Sequence, residues 1–316
     1  MTITWRNLAA DDADQWVELR AAAEAVDKTG EHAGADEFAE VMSDPGLGAI
    51  GGFDGERLVA AGVAWFKAGH TEVNGVPLEG HVHPAHRRRG IGRNLLDRMA
   101  GVAEQWHAAH CPDLRLEPRS TSHEANVGHA ALLRAAGYVP VRWFFDMSVE
   151  LSGPILDPPI PPGLTAEGYS PAIDDELRRA HNECFAEHWG SIPADPVYWR
   201  RHVTGNPSFA ADRALILRDD VTGEIAAYVL GYGSAAQDSG TGRRELWVGQ
   251  VGTRKGWRGR GTATAMLAAV LRQSRDAGYE VVALAVDSGN STGALGVYER
   301  CGFAVTGRWT TYALIR

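Results

Sequence analysis

Two α+β domains in tandem, each a mainly antiparallel mixed sheet flanked by helices, are predicted from three observations. Five prolines fall between Pro154 and Pro162, where neither a helix interior nor a central strand can continue. A linker over 151–163 therefore divides the chain into an N-terminal domain, 1–150, and a C-terminal domain, 164–316. The same order of features is readable on both sides, as duplication of one domain requires. Finally, a strand entering a basic, glycine-containing turn that opens a helix occurs twice, as HVHPAHRRRGIGRNLLDRM and VGTRKGWRGRGTATAML.

In the first half, WRNL reads as a strand, and DDADQWVELRAAAEAVD as a helix with acidic residues at its start and apolar ones at helical spacing. GAIGGF, RLVAAGVAWF and PLEGHVH are consecutive antiparallel strands parted by turn residues. A helix over 90–110, a strand over 114–117, a helix over 126–136 and a strand pair within 139–151 complete it. The second half repeats the order with a strand over 164–169, a helix over 174–187, a hairpin of 214–217 with 225–231, and a long strand over 245–253. Helices over 261–277 and 292–300, a strand over 281–286 and final strands over 303–315 follow.

Composition fits an ordinary soluble protein, with 44% hydrophobic and 22% charged residues in 316. No stretch approaches the roughly 18 apolar residues of a membrane span, and MTITWRNLAADDADQW lacks the basic and apolar regions of a secretion signal, so a cytoplasmic location without membrane partners is expected. Three distant cysteines, Cys111, Cys184 and Cys301, do not form a disulfide framework or zinc-binding spacing. A formal net charge of -9 excludes a protein that coats nucleic acid, yet allows a local basic site for a phosphorylated ligand.

The doubled segment supplies such a site. Both copies fit Arg-x-x-Gly-x-(Gly or Ala), with Arg87, Gly90 and Gly92, then Arg258, Gly261 and Ala263. The start of a helix has N–H groups without intrahelical partners and the positive end of the dipole, which suits a diphosphate. Arg88, Arg89 and Arg93, and Arg254, Lys255 and Arg260, add charge where this acidic chain has little.

On these residues the chain resembles the GNAT superfamily of acyl-CoA N-acyltransferases, whose motif A is this strand, turn and helix. ALAVDSGNSTGALGVYERCGF resembles the family's motif B. The layout of two such halves joined by a proline-rich stretch resembles the tandem members of that superfamily. The resemblance implies that acetyl-CoA is held in the second half by Val251, Gly252, Thr253, Arg258, Gly259, Arg260, Gly261, Thr262, Ala263 and Asn290. In the first half it implies the same for Val82, Arg87, Arg88, Arg89, Gly90, Ile91, Gly92 and Asn126.

The resemblance also implies that Tyr298 faces the thioester sulfur, where a phenol of pKa near 10 is matched to protonate a departing thiolate. The first half has Leu133 at that place and no proton to give. Its motif B otherwise retains Asn126 and Gly137-Tyr138, so a degenerate domain is expected. For the general base, family members often use a carboxylate on the strand before motif A. Glu245 is the carboxylate in that strand, with a salt bridge to Arg243 or Arg244 as the alternative role. HNECFAEHWG, residues 181–190, resembles the first C-domain helix of the tandem group, which implies an acceptor pocket near Glu183, Glu187, His188 and Trp189, with Trp199 beyond. His81, His83 and His86 have metal-like spacing but occupy the entry to the first turn, so no metal is expected.

The resulting expectation is an acetyl-CoA-dependent N-acetyltransferase in which a small-molecule amine attacks directly in a ternary complex. A non-catalytic acyl-CoA-binding sensor or scaffold, or transfer to a hydroxyl or thiol, are the alternatives.

Overall fold

The computed structural model describes residues 2–44, 46–289 and 293–315. In chain order its first elements are β1 (Ile3–Asn7), α1 (Ala13–Asp27), α2 (Ala35–Ser43), β2 (Leu47–Asp54), β3 (Arg57–Trp65) and β4 (Val73–Val82). α3 (Ile91–His110), β5 (Arg115–His123), α4 (Val127–Ala135) and β6 (Val139–Glu150) follow. Then come β7 (Leu164–Gly168), α5 (Asp174–Phe185), α6 (Pro196–His202), β8 (Leu215–Asp219), β9 (Ile225–Gly233) and α7 (Ala235–Thr241). β10 (Glu245–Thr253), α8 (Thr262–Asp276), β11 (Val281–Asp287), α9 (Ala294–Arg300) and β12 (Ala304–Ala313) end the chain.

The elements form two compact units, Met1–Trp143 with Gly307–Arg316, and Phe144–Thr306. The first has the strand order β1-β2-β3-β4-β5-β12, and the second β6-β11-β10-β9-β8-β7. This departs from the division into 1–150 and 164–316. Trp309 to Ala313 pair with His123 to Arg119 of β5, while Phe144 to Glu150 pair with Asp287 to Val281 of β11. Each half thus supplies the strand that covers a sheet edge in the other unit. Alternation along a strand marks it as a strand without naming its partner, and so the exchange is invisible in the periodicity. Nor is 151–163 a bare tether. Ile155 and Ile160 pack against the second unit's core, and Arg272 binds the Leu156 carbonyl at 2.5 Å and Asp157 at 2.9 Å.

Both units are layered alike. In the first, one sheet face packs against α3 and α4 through Val76, Leu78, Leu95, Met99 and Leu133. The other covers α1 and α2 through Trp16, Leu19 and Phe38. In the second, Leu246 and Val248 pack with Met266, Leu267, Val270 and Leu271 of α8, whose i, i+4 apolar spacing sets that face. Opposite, Tyr228 and Leu230 pack with Leu177, Ala180 and Trp199 of α5 and α6. Truncating a side chain as deeply buried as Leu267 would cost about 2–5 kcal/mol.

The two sheets place a gap at the same point. β4 and β5 run parallel and pair from Val73↔Arg115 to Pro77↔Arg119, then part. β10 and β11 pair only at Glu245↔Val281, Leu246↔Val282 and Trp247↔Ala283. Past that point β10 still pairs with β9 as far as Thr253, and β11 with β6 as far as Asp287. Among the described residues, their facing edges lack a strand partner there. A bulge between Val248 and Gln250 marks the parting.

Candidate active site

The strand edges that face each other across the gap carry main-chain donors and acceptors without a ladder, a form that takes an extended amide-bearing ligand as an added strand. At the end of β10 the chain turns through a short 3₁₀ segment, Lys255–Trp257, into the 15-residue α8. Gly259 and Gly261 have φ of +72° and +79°, and a Cβ on either would meet nothing within 4 Å. Glycine is favoured at both for backbone conformation, and it leaves the face over the helix start open. Thr262 is buried and closes the turn by donating to the Trp257 carbonyl at 3.0 Å, while Ala263 lies in the first turn of α8.

The first unit builds the same turn. Gly90 has φ +81°, Ile91 is buried, and a Cβ on Gly92 would lie 3.3 Å from Leu132 and 3.7 Å from Val82. Arg88, in the place of Gly259, adopts φ +64°.

The arginine that opens each motif acts as a brace. Arg258 Nε donates to the Thr253 carbonyl at 2.9 Å and its Nη2 to the Cys184 carbonyl at 3.4 Å. Arg87 repeats this with Val82 at 2.9 Å and a two-pronged pair to Asp27 at 2.6 and 2.7 Å. Their guanidinium groups tie the strand end to the first helix of the unit, whereas Arg260 is exposed and lies over the Trp257 ring at 4.8 Å.

α4 and α9 close in the same way. The Tyr138 N–H bonds to the Leu133 carbonyl at 3.0 Å and the Phe303 N–H to the Tyr298 carbonyl at 3.1 Å, across Gly137 and Gly302 at φ +88° and +92°. This C-terminal closure fixes Leu133 and Tyr298 as equivalent, third from the helix end. Leu133 is wholly buried. Tyr298 is 9% exposed, its ring centroid is 6.0 Å from that of Phe303, and burial pushes its phenol up to about 12. Buried phenols normally have a partner. Among the described residues nothing bonds to this hydroxyl. Asn290 lies outside the described residues. Asn126 caps α4, its Oδ1 accepting from the His129 N–H at 3.0 Å, a use of the side chain within the fold.

Glu245 begins β10, half-buried, two residues before the strands part. Burial raises its pKa, and the nearby Asp238 carboxylate adds to the effect against a weak 3.4 Å bond from Gln237. The alternative salt bridges do not form: Arg243 pairs with Glu150 at 2.8 Å and Arg244 donates to the Ala277 carbonyl at 2.5 Å.

Several expected acceptor contacts are used otherwise. Glu183 pairs with Arg254 at 3.0 Å and Glu187 with Lys255 at 2.8 Å, joining α5 to the basic turn, and Asp195 caps α6. Trp199 is a wholly buried core residue whose indole donates to Asp174 at 2.9 Å. His188 and Trp189 follow α5 and are half-buried, with ring contacts to Phe185 at 5.4 Å and Phe144 at 6.3 Å. Cys301 is buried with its thiol pKa raised by burial, the opposite of an activated nucleophile. Among the described residues no group of three or more histidine, cysteine or acidic side chains is placed to hold a metal, and no helix is long and apolar enough to cross a membrane.

A polar cluster in the first unit was not read from the sequence. Glu79, two residues past the parting of β4 and β5, accepts from Arg20 at 2.6 Å and bonds His81 at 3.1 Å. Burial alone would raise its pKa, but His81 and Arg20 bring it down to about 2. His129 faces Ser120 at 3.4 Å, and burial, with the His81 and Arg87 charges, lowers its pKa to about 4. The i, i+2 alternation of Glu79 and His81 was the available signal. Their partner Arg20 is 59 residues from Glu79 and carries none.

Paired strands that part beside a glycine turn and a helix start make up the candidate site. The chain belongs to the acetyltransferase (GNAT) family, whose profile matches it twice, over residues 12–137 and 175–303, and it is an acyltransferase. It is 33% identical over 244 residues to a mycothiol acetyltransferase of Salinispora tropica, covering 76% of this chain and 72% of that protein. The corresponding enzyme of Salinispora arenicola is 32% identical over 243 residues, covering 75% and 72%. Two solved structures share the fold. A GCN5-related N-acetyltransferase from Sphaerobacter thermophilus gives a TM-score of 0.78 at 24% identity, over 98% of this chain and 95% of that one. A tandem GNAT protein from the clavulanic acid biosynthesis pathway gives 0.74 at 18%, over 99% and 98%.

Proposed function

We propose that this protein is an acetyl-CoA-dependent N-acetyltransferase for a small polar amine, and that transfer occurs at the gap of the second unit. The observation that carries this is the asymmetry between Tyr298, a buried phenol without a partner among the described residues, and Leu133 at the equivalent place. The mycothiol acetyltransferases, named for a small molecule, support a small-molecule acceptor.

Bound acetyl-CoA would supply an acyl group activated by a thiol leaving group. The N–H groups at the start of α8, with Gly259 to Thr262, would take the diphosphate, and the facing edges of β10 and β11 would pair with the amide-bearing arm. Glu245 would take the proton of the attacking amine. Its two-residue offset from the parting is about 7 Å of strand, a span for one bridging water. Tyr298, held protonated by burial, would deliver a proton to the departing thiolate. Orientation in one groove would remove much of the entropic barrier. The first unit, with Leu133 and an ion-paired Glu79, would bind without transferring. Its turn still offers a helix start to acetyl-CoA. We assign the protein to the cytoplasm, in keeping with its three free cysteines.

A thiol-release assay over amines, aminosugars and polyamines, with matched alcohols and thiols, tests this reading. Release with at least one amine is expected. Release with alcohols or thiols alone would contradict it.

A further inference from the structure

Both units place one polar side chain on the strand before the turn, eight residues ahead of the bracing arginine, Gln250 ahead of Arg258 and Glu79 ahead of Arg87. Strand pairing confirms the equivalence, with Gln250 opposite Leu230 in β9 and Glu79 opposite Val63 in β3. Both lie past the parting, beside the gap. The two are held in opposite senses. Glu79 is a carboxylate fixed by Arg20 and His81 and can only accept hydrogen bonds.

Gln250 is fixed by Tyr232, whose hydroxyl donates to its Oε1 at 2.7 Å. The bulge at Gly249 makes this possible, since the Tyr232 ring lies where a Cβ would come within 2.6 Å of it. Burial raises the Tyr232 pKa, so the phenol remains a donor at all working pH values. With its carbonyl engaged, the amide of Gln250 cannot flip without losing that bond, and its nitrogen keeps two donors. Among the described residues none accepts from that nitrogen. Leu230 and Tyr232 pack with α5 and α6, so Gln250 lies on that face of the sheet, opposite α8.

The carboxylates on this side are engaged, Glu183 with Arg254, Glu187 with Lys255 and Asp195 with the start of α6. Glu245 is needed for the proton. A second cationic group on the acceptor therefore finds no counter-ion among these residues, whereas a neutral oxygen finds the amide of Gln250.

We propose that Gln250, locked by Tyr232, determines acceptor specificity by donating to a neutral oxygen, hydroxyl or carbonyl, carried close to the acceptor amine. This rests on the reading of the second gap as the transfer site. The test compares 2-aminocyclohexanol with cyclohexylamine in the wild type, Gln250→Leu and Tyr232→Phe, each as the full chain. The wild type should favour the amino alcohol about tenfold in kcat/KM, the worth of one net hydrogen bond. Gln250→Leu should bring that ratio close to one, chiefly through KM, and Tyr232→Phe should place it between. An unchanged ratio in either variant overturns the proposal and leaves the transfer site standing. Turnover of neither amine by the wild type, nor of any amine in the wider panel, overturns both.

Discussion

The two glycine turns have one backbone and different surroundings. In each unit an arginine braces the strand end, a glycine of positive φ opens the helix, and a glycine-aromatic pair closes the following helix. Around that shared frame the first unit has Leu133, Arg88 in a left-handed conformation, and Glu79 held as an anion. The second has Tyr298, Gly259 and Gln250. In the proposed reading, the frame that would bind is separable from the groups that would transfer. Two copies of one backbone frame do not imply two reactions.

The comparison breaks most directly at its glycines. Gly261→Glu places bulk and negative charge at the helix start, and should reduce turnover roughly 100-fold or more, with Gly261→Ala as the control for backbone strain alone. Gly90→Glu should leave measurable turnover. Equal, total loss in two folded variants would assign transfer, or an indispensable ligand, to the first unit.

Next in size is Glu245→Gln, expected to lower kcat/KM about 100-fold, the usual worth of a general base. Because the Glu245 pKa is raised, the wild-type rate should climb with pH through a value above the ordinary 4.5, and the variant should lose that limb. A variant that retains both the limb and the rate would remove Glu245 from the mechanism.

Acid stability sharpens the contrast without touching catalysis. His129 titrates near 4 in the folded chain against 6.5 unfolded, so it favours folding above 6.5 and loses that contribution as pH falls towards 4. Urea unfolding should show a loss of about 2 kcal/mol between pH 7.5 and 5, and His129→Gln should flatten it. An equal pH slope in both proteins would contradict the burial argument. Smallest is Arg88→Gly, which gives the first turn the residue found in the second and should stabilise it by about 1 kcal/mol by relieving a left-handed arginine. Destabilisation would mean that the Arg88 side chain makes a compensating contact.

Much of the frame was legible, and for physical reasons. Strand alternation, helical spacing and turn glycines are local signals, so β10 was read with its observed ends and α3 and α8 within one residue. The short helices α2, α6 and α7 were not read, whereas α4 and α9, equally short, were legible through the repeated segment that contains them. Residues 139–151 and 303–315 were read as strand pairs, yet each forms a single strand, and the exchange between units depends on partners far away in sequence. The site divides likewise. Tyr298 and the glycine turn stand out in local pattern, whereas the Tyr232–Gln250 bond exists only once a bulge brings them together. Glu183 and Glu187 look like ligands for a cation until Arg254 and Lys255 fold beside them.

The central claim is that the second unit transfers the acyl group and uses Tyr298 as its acid. Single-turnover and steady-state kinetics of Tyr298→Phe, with acetyl-CoA affinity measured by calorimetry on the same protein, test it most directly. The account predicts that kcat falls about 100-fold with the affinity nearly intact, since the hydroxyl acts on the departing thiolate and not on the bound thioester. Unchanged kcat across the pH range would contradict it.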